Sequence, residues 1–357
     1  MAQNAKHLSI IDGKSLLALE VEPPKFIVAG VMPTGLHILA GSAKIGKSWL
    51  SLWLCNQVSC GLPVWEFETL KCGTLYLSLE DTINRLHFRL SHITDSGSEH
   101  SFFATESDNL SGSLIPQLEK FMQEHPETGL IVIDTLQHVR GGEAGQNLYA
   151  NDYSEISKLK SFADEKNIAV LLVHHTRKQP DSDPFNMVSG SVGIVGAVDS
   201  MYVLTKEKRA ENSAILHVTG RDIKDKQLQL EFDRGRTVWN FVSYLSGETG
   251  EDMLITALVS FLAEHKEFSG TASELLERLK SKDAGLPHTP NTLTRRIKEQ
   301  ALTLEKRHNI LLEFTRKKDA RLISLVLVGD GDDINAQGDV PEISSPSSET
   351  ESEVSAA

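Results

Sequence analysis

Residues 41–48 read GSAKIGKS, the spacing Gly-x-x-x-x-Gly-Lys-Ser. Gly41 and Gly46 let the backbone wrap so that successive N–H groups point inward, and the start of a following helix adds its positive end. That combination cradles phosphates. Lys47 is then expected to reach the β- and γ-phosphates of ATP, and the Ser48 hydroxyl to sit on Mg2+. The candidate nucleotide contacts are Gly41, Ser42, Ala43, Lys44, Ile45, Gly46, Lys47, Ser48 and Trp49. An ordinary glycine turn is the plainer alternative, made less fitting by the strand before the loop and the apolar helix after it.

Three further apolar runs end in groups able to serve such a site. Asp134 closes LIVID (130–134), where an aspartate is either a cap for the next helix or a carboxylate of the magnesium site; the phosphate loop favours the second. Glu80 closes LYLSLE (75–80), and a carboxylate at a strand tip can polarise an attacking water. Asp81 competes for that job, but Glu80 is favoured because it continues the strand, which is expected to neighbour the strand of the phosphate loop. His174 and His175 end LLVHH (171–175); adjacent strand residues point to opposite faces, so one faces the core and the other the nucleotide as a γ-phosphate donor. Two hydrogen-bonded structural histidines are the plainer alternative.

The elements that must position these groups alternate. Runs at 36–41, 74–80, 129–136, 169–176 and 200–205 are short and nearly continuous in apolar residues, which suits parallel strands covered on both faces. Helix patterns lie between them at Lys47–Val58, Ile115–Glu124 and Asp152–Lys166. This order describes an α/β fold with an open, mostly parallel central sheet, extended by a hairpin from 213–220 and 226–233. The expected organisation is an N-terminal segment (1–35), an ATPase domain (36–244), a smaller domain (251–328) and an acidic tail (329–357).

After residue 245 the pattern changes. Helices near 253–264, 272–281 and 291–305 precede ILLEFTRKKDARLISLVLV (310–328), two strands around a basic turn. This is the winged-helix order, with Thr289 or Asn291 available to cap the third helix. Arg295 and Lys298 on that helix, and Lys317 in the wing, are candidate contacts to duplex DNA, chiefly through phosphates.

The net charge of −13 does not exclude a nucleic-acid partner, because it is unevenly spread. Residues 331–357 hold seven acidic and no basic residues, whereas 291–321 hold nine Lys or Arg against four Asp or Glu. The tail has almost nothing to bury and reads as disordered. The three cysteines, Cys55, Cys60 and Cys72, fit no zinc module, and no run is long enough to span a bilayer. The start lacks the layout of a secretory signal, so a cytoplasmic setting is expected.

GSAKIGKS, YLSLED, LIVIDTLQ and LLVHHTRK, in this order, resemble the four motifs of RecA-fold hexameric helicases, above all the RepA-like ATPases of plasmids and phages. DnaB-type helicases share the LIVID-x-LQ phrase more distantly. The resemblance covers about residues 20–240. It implies a RecA-like P-loop core, with Lys47 and Ser48 as the Walker A pair, Glu80 as the catalytic glutamate, Asp134 as the Walker B aspartate and His175 as the polar sensor. Arg221, in VTGRDIKDK, lies near the place of an arginine supplied to a neighbouring subunit's ATP, a role Lys224 or Lys226 could share; this implies a ring or filament, with a ring-shaped hexamer as the expected homo-oligomer. Two loops, 139–152 and 176–193, would then face a central channel for single-stranded DNA, with Arg140, Arg177 and Lys178 as candidate phosphate contacts.

These readings lead to a DNA-dependent ATPase, a ring helicase or helicase-like replication factor of a mobile element, working with replication partner proteins. A recombination mediator or an ATP-switched DNA-binding regulator that does not unwind is the alternative.

Overall fold

In the computed structural model, described residues are 10–19, 24–141, 148–177, 179, 181–189, 192–206, 208, 211–246, 253–280, 289–317 and 320–328. Lys178 and the acidic tail lie outside them, as do parts of both loops expected to face a channel.

The chain begins with a short, exposed helix, α1 (Gly13–Ala18), whose N-terminus is capped by the Asp12 carboxylate. A small antiparallel pair follows, β1 (Phe26–Val28) and β2 (Met32–Pro33). Ile27, Val28, Val31 and Met32 are buried here, so the core of the sheet domain begins about ten residues before the first long strand. Next come β3 (Gly35–Gly41), α2 (Lys47–Cys60), β4 (Gly73–Ser78), α3 (Ile83–Ile93) and β5 (Ser101–Ala104). They are followed by α4 (Leu114–Glu124), β6 (Thr128–Asp134), α5 (Leu136–Val139), α6 (Leu148–Lys166) and β7 (Ala169–His175). A 3-10 turn at Pro184–Met187 leads to α7 (Val192–Ala197), β8 (Ser200–Thr205), β9 (Ser213–Gly220), β10 (Lys226–Asp233) and β11 (Val238–Ser246).

Among the described residues the central sheet has nine strands in the order β11-β10-β9-β8-β3-β7-β6-β4-β5. From β8 through β5 all pairings are parallel, and β9, β10 and β11 add an antiparallel edge. The inner strands β3, β4 and β6 are buried at every position, which is why their sequences read as unbroken apolar runs rather than alternating ones. One hydrophobic cluster packs α2 against the sheet, and a second packs α4, α5 and α6 against its other face. This is a mixed α/β fold with a mostly parallel central sheet of the RecA-like kind.

The expected hairpin is present, but the sheet runs one strand further. VWNFVSYLS forms β11, and the sheet curls so that β11 returns over α2. Strand order also corrects one expectation. The strand before Glu80 does not neighbour the phosphate-loop strand: β7 and β6 lie between β4 and β3. Nor does that strand continue through Glu80, because β4 ends at Ser78 and Leu79–Glu80 form a turn.

Residues 253–327 build a third cluster of their own. The elements are α8 (Met253–His265), β12 (Glu267–Thr271), α9 (Ala272–Lys280), α10 (Pro290–Glu299), α11 (Ala301–His308), β13 (Ile310–Lys317) and β14 (Ala320–Leu327). The three strands form an antiparallel sheet in the order β12-β14-β13. Thr289 caps α10, accepting from the Thr292 N–H at 3.3 Å. The single helix expected over 291–305 is broken at Gln300, although neither Gly nor Pro is present there. The break lets Leu304 join Leu293 and Ile297 in one core. It also lets the Lys306 ammonium, on α11, reach the Thr69 carbonyl of the sheet domain at 2.6 Å. No described helix is long and apolar enough to cross a membrane.

Candidate active site

The carboxyl ends of β3, β4, β6 and β7 converge, and in open α/β sheets the crevice beyond these ends is where ligands bind. Cross-strand pairing sets Gly41 beside His175 and Ser78 beside Asp134. The phosphate loop leaves β3 at Gly41 and enters α2 through Gly46, whose φ of 109° is a conformation that favours glycine. A side chain at Gly41 would press on the Leu204 carbonyl at 2.9 Å, and one at Gly46 on the Trp239 indole at 2.9 Å. Ile45 is buried in the core and anchors the loop, while Ser42, Ala43 and Lys44 stand exposed at its tip. Trp49 lies in the first turn of α2, with the Arg89 guanidinium 5.6 Å from its ring centre.

Lys47 is buried, and its ammonium donates to the carbonyls of Gly41 (2.8 Å) and Ser42 (3.1 Å). The lysine is thus folded back along its own loop, next to the position a phosphate chain would take. Burial lowers its pKa to about 8, with Asp134 and Glu80 opposing the shift. The His175 Nδ1 lies 3.4 Å from the same ammonium, and burial followed by Lys47 lowers the His175 pKa. His175 is therefore a neutral imidazole near pH 7, able to offer one N–H. His174 faces the other way, is buried, and bonds the Ser189 carbonyl at 2.8 Å. The two histidines divide as the alternation of a strand requires.

Asp134 is buried at the end of β6. Its Oδ2 accepts from the Tyr76 hydroxyl at 2.6 Å, and its Oδ1 is buried with no hydrogen-bond partner among the described residues. Burial raises its pKa, opposed by the neighbouring hydroxyls of Tyr76 and Ser48, which favour the charged form. A buried, unpartnered carboxylate oxygen beside Ser48 fits a divalent cation carried in with a nucleotide. Among the described residues no cluster of three or more acidic, His or Cys side chains could hold a metal unaided.

Glu80 is about half exposed, and its Oε1 accepts from the Thr135 hydroxyl at 3.1 Å, with His138 Nδ1 at 3.8 Å. Asp81 is occupied differently. It is buried and paired with Arg85 at 3.3 Å and, more closely, with Arg89. Those guanidiniums hold Asp81 against α3, whereas Glu80 is open to solvent.

Arg221 lies apart from these groups within the chain. Gly220 pairs with Ser200, at the beginning of β8, so Arg221 sits at the opposite end of the strands from Gly41. There it bonds the Asp199 carboxylate at 3.4 Å and the Gly196 carbonyl at 3.0 Å. Arg177 pairs with Asp181 at 3.2 Å, and Arg140 follows α5 on the carboxyl side of the sheet. In the C-terminal part, Arg295 is exposed and pairs with Glu299 at 3.4 Å, and the Lys298 ammonium stands over the Phe314 ring at 4.9 Å. Lys317 is the last residue of β13.

The groups missed in the sequence are Tyr76, Thr135, Arg89 and Trp239. Tyr76 carried a faint signal, since it sits two residues before the tip of β4 and shares a face with Ser78. Trp239 carried none, being 193 positions from the loop it touches.

A model of the AAA domain matches residues 3–181. The chain belongs to the AAA domain family. The AAA match holds the phosphate loop, Glu80, Asp134 and both histidines, and a second model, the AICE RepA C-terminal domain, matches residues 254–337. The AAA chain is also similar to the DNA repair protein RadA of Streptococcus pneumoniae, 27% identical over 153 residues, 42% of this chain and 32% of that protein. It thus spans about a third of the length of that relative. An ATPase domain of known structure superposes with a TM-score of 0.50 at 14% identity, over 59% of this chain and 85% of that one, a likeness of fold. The fold that carries the phosphate loop is RecA-like.

Proposed function

We propose that this protein is a DNA-dependent ATPase, a RepA-like ring helicase or helicase-like replication factor of a plasmid, phage or other mobile element. The observation that carries the reading is the convergence of Lys47, Ser48, Glu80, Asp134 and His175 beyond the strand ends, with the Asp134 Oδ1 left open.

In this reading ATP lies along the phosphate loop, and Lys47 leaves its two carbonyls for the β- and γ-phosphates. Ser48 and Asp134 would hold Mg2+, which would neutralise charge on the phosphates. Glu80, kept in place by Thr135, orients the attacking water and accepts its proton. His175 offers its N–H to the γ-phosphate and registers its loss. Arg221, far from its own phosphate loop, acts on the ATP of a neighbouring subunit, which makes the active unit an oligomer, with a hexameric ring as the proposed form. Single-stranded DNA runs past Arg140, Arg177 and Lys178, and partner proteins join at replication.

The order α8-β12-α9-α10-α11-β13-β14 supports reading residues 251–328 as a winged helix that uses Arg295, Lys298 and Lys317 on duplex phosphates. The RepA in the name of the matching C-terminal model favours replication, and the RadA likeness supports recombination mediation without unwinding as a second reading.

The deciding experiment compares ATP hydrolysis by the full chain and by Lys47→Ala, with and without single-stranded DNA, alongside the oligomer mass. Hydrolysis that DNA stimulates, that Lys47→Ala abolishes and that tracks a ring is the expected result. Hydrolysis indifferent to DNA from a monomer overturns it.

A further inference from the structure

Tyr76 is 1% exposed, in the middle of β4, paired with Val132 of β6. It is therefore one full strand repeat below Ser78 and Asp134, on the same face of the sheet. Its ring reaches up that face, tilted against Phe103 at 6.5 Å between centres. Its hydroxyl ends among three groups: Asp134 Oδ2 at 2.6 Å, Ser51 Oγ at 3.4 Å and the Ser48 carbonyl at 3.5 Å. Ser51 in turn bonds the Lys47 carbonyl at 2.9 Å. One phenol thus joins the aspartate of β6 to the first turn of the helix that carries Lys47 and Ser48.

A buried carboxylate that ended only in the backbone of its own strand would be free to turn about its last bond. In this chain Oδ2 is taken by a short hydrogen bond from Tyr76, which leaves Oδ1 unpartnered and fixes where it sits. We infer that Tyr76 is a positioning residue for magnesium: it clamps the Asp134 carboxylate so that one oxygen stays turned to the ion beside Ser48. Groups that hydrogen-bond a metal-site carboxylate from behind set its orientation, and losing one typically weakens metal binding about 10–100-fold.

The inference rests on the reading that this site binds a magnesium nucleotide. The test is Tyr76→Phe, which removes one oxygen and keeps the ring in place, read by binding of a fluorescent ADP analogue across a Mg2+ titration. The expected result is unchanged nucleotide binding in EDTA, with the Mg2+ concentration for half-maximal enhancement raised about 10-fold or more. An unchanged Mg2+ midpoint overturns the inference, and so does an equal loss of binding with and without Mg2+. Phe103→Leu is the control for packing, since it loosens the Tyr76 ring but leaves the hydroxyl. It should keep the wild-type midpoint, and a shift matching that of Tyr76→Phe, or seen in it when Tyr76→Phe fails to fold, overturns the inference. Failure of the underlying reading looks different: the wild type itself would show no Mg2+-enhanced nucleotide binding.

Discussion

Trp239 donates its indole N–H to the carbonyl of Gly46 at 3.3 Å, so the last strand of the sheet braces the phosphate loop from behind. Trp65 completes the brace by donating to the Trp239 carbonyl at 2.6 Å. Trp239 is fully buried, and truncating a buried Trp to Ala costs about 3–5 kcal/mol, so Trp239→Ala should lower the melting temperature strongly. Trp239→Phe keeps most of the packing and loses one neutral hydrogen bond, worth about 1 kcal/mol. Thermal melts with and without nucleotide separate the two, and a Trp239→Phe variant whose ADP affinity equals the wild type's would show the brace to be merely structural.

Glu80 and Asp81 are adjacent and should fail in opposite ways. Glu80→Gln should retain nucleotide binding and reduce turnover by about 10²–10⁴-fold, the usual contribution of a general base. Asp81→Asn leaves Arg89 without its buried partner, so stability should fall while residual hydrolysis persists. Steady-state turnover and melting temperature on both variants check the pair; turnover that survives in Glu80→Gln but not in Asp81→Asn reverses the assignment.

The burial of Lys47 gives a pH dependence with a definite sign. Its folded pKa, about 8, lies below the usual 10.5, so the unfolded chain binds more protons between these values. In that window the contribution of Lys47 makes folding stability rise with pH. Nucleotide binding runs the other way, because phosphates need the charged ammonium. Affinity should fall above about pH 8, and binding near that pH should take up a proton. Calorimetry in buffers of differing ionisation enthalpy measures the uptake, and its absence in wild type would place the ammonium charge elsewhere.

If Arg221 serves a neighbour, two inactive variants should rescue each other. Lys47→Ala lacks its own phosphate site and Arg221→Ala lacks what it lends, so mixed oligomers contain some intact junctions. Hydrolysis should return on mixing, from a deficit of about 10³-fold or more in each variant alone. A mixture no more active than its parts would confine Arg221 to its bonds with Asp199 and Gly196.

Arg295 is two-thirds exposed on α10, its pairing with Glu299 is an ordinary surface one, and it tests the C-terminal part. Arg295→Ala should weaken duplex binding similarly across sequences and reduce the salt slope by about one. Binding isotherms at several salt concentrations check this; an unchanged slope moves the contact elsewhere.

Much of the site was legible because its determinants are local. GSAKIGKS carries its own turn and helix start, and apolar runs ending in a charged or imidazole group mark strand tips. The histidine pair could be divided by period-two alternation alone, and His175 does face Lys47. Strand order was not legible, since pairing is chosen by packing across the whole sheet. Glu80 was accordingly placed beside the wrong strand. The choice between Glu80 and Asp81 was made for a reason that fails, the continuation of β4, and what separates them is a pair of arginines one and two turns along α3. Tyr76 was marked only by its place two residues before the tip of β4, and Trp239 was invisible as a site residue because nothing in its own neighbourhood marks it. The break at Gln300 lacks a breaker residue and follows from where Leu304 and Lys306 must land.

The bond from Lys306 to the Thr69 carbonyl has a mechanical meaning. Thr69 closes the segment that carries Trp65, Trp65 holds Trp239, and Trp239 holds Gly46. The C-terminal helices and the phosphate loop are therefore tied in series by a handful of polar links that run through the edge strand β11 rather than across the parallel strands. The series that starts at the Lys306 ammonium on α11 ends on the Gly46 carbonyl, where the phosphate loop enters α2.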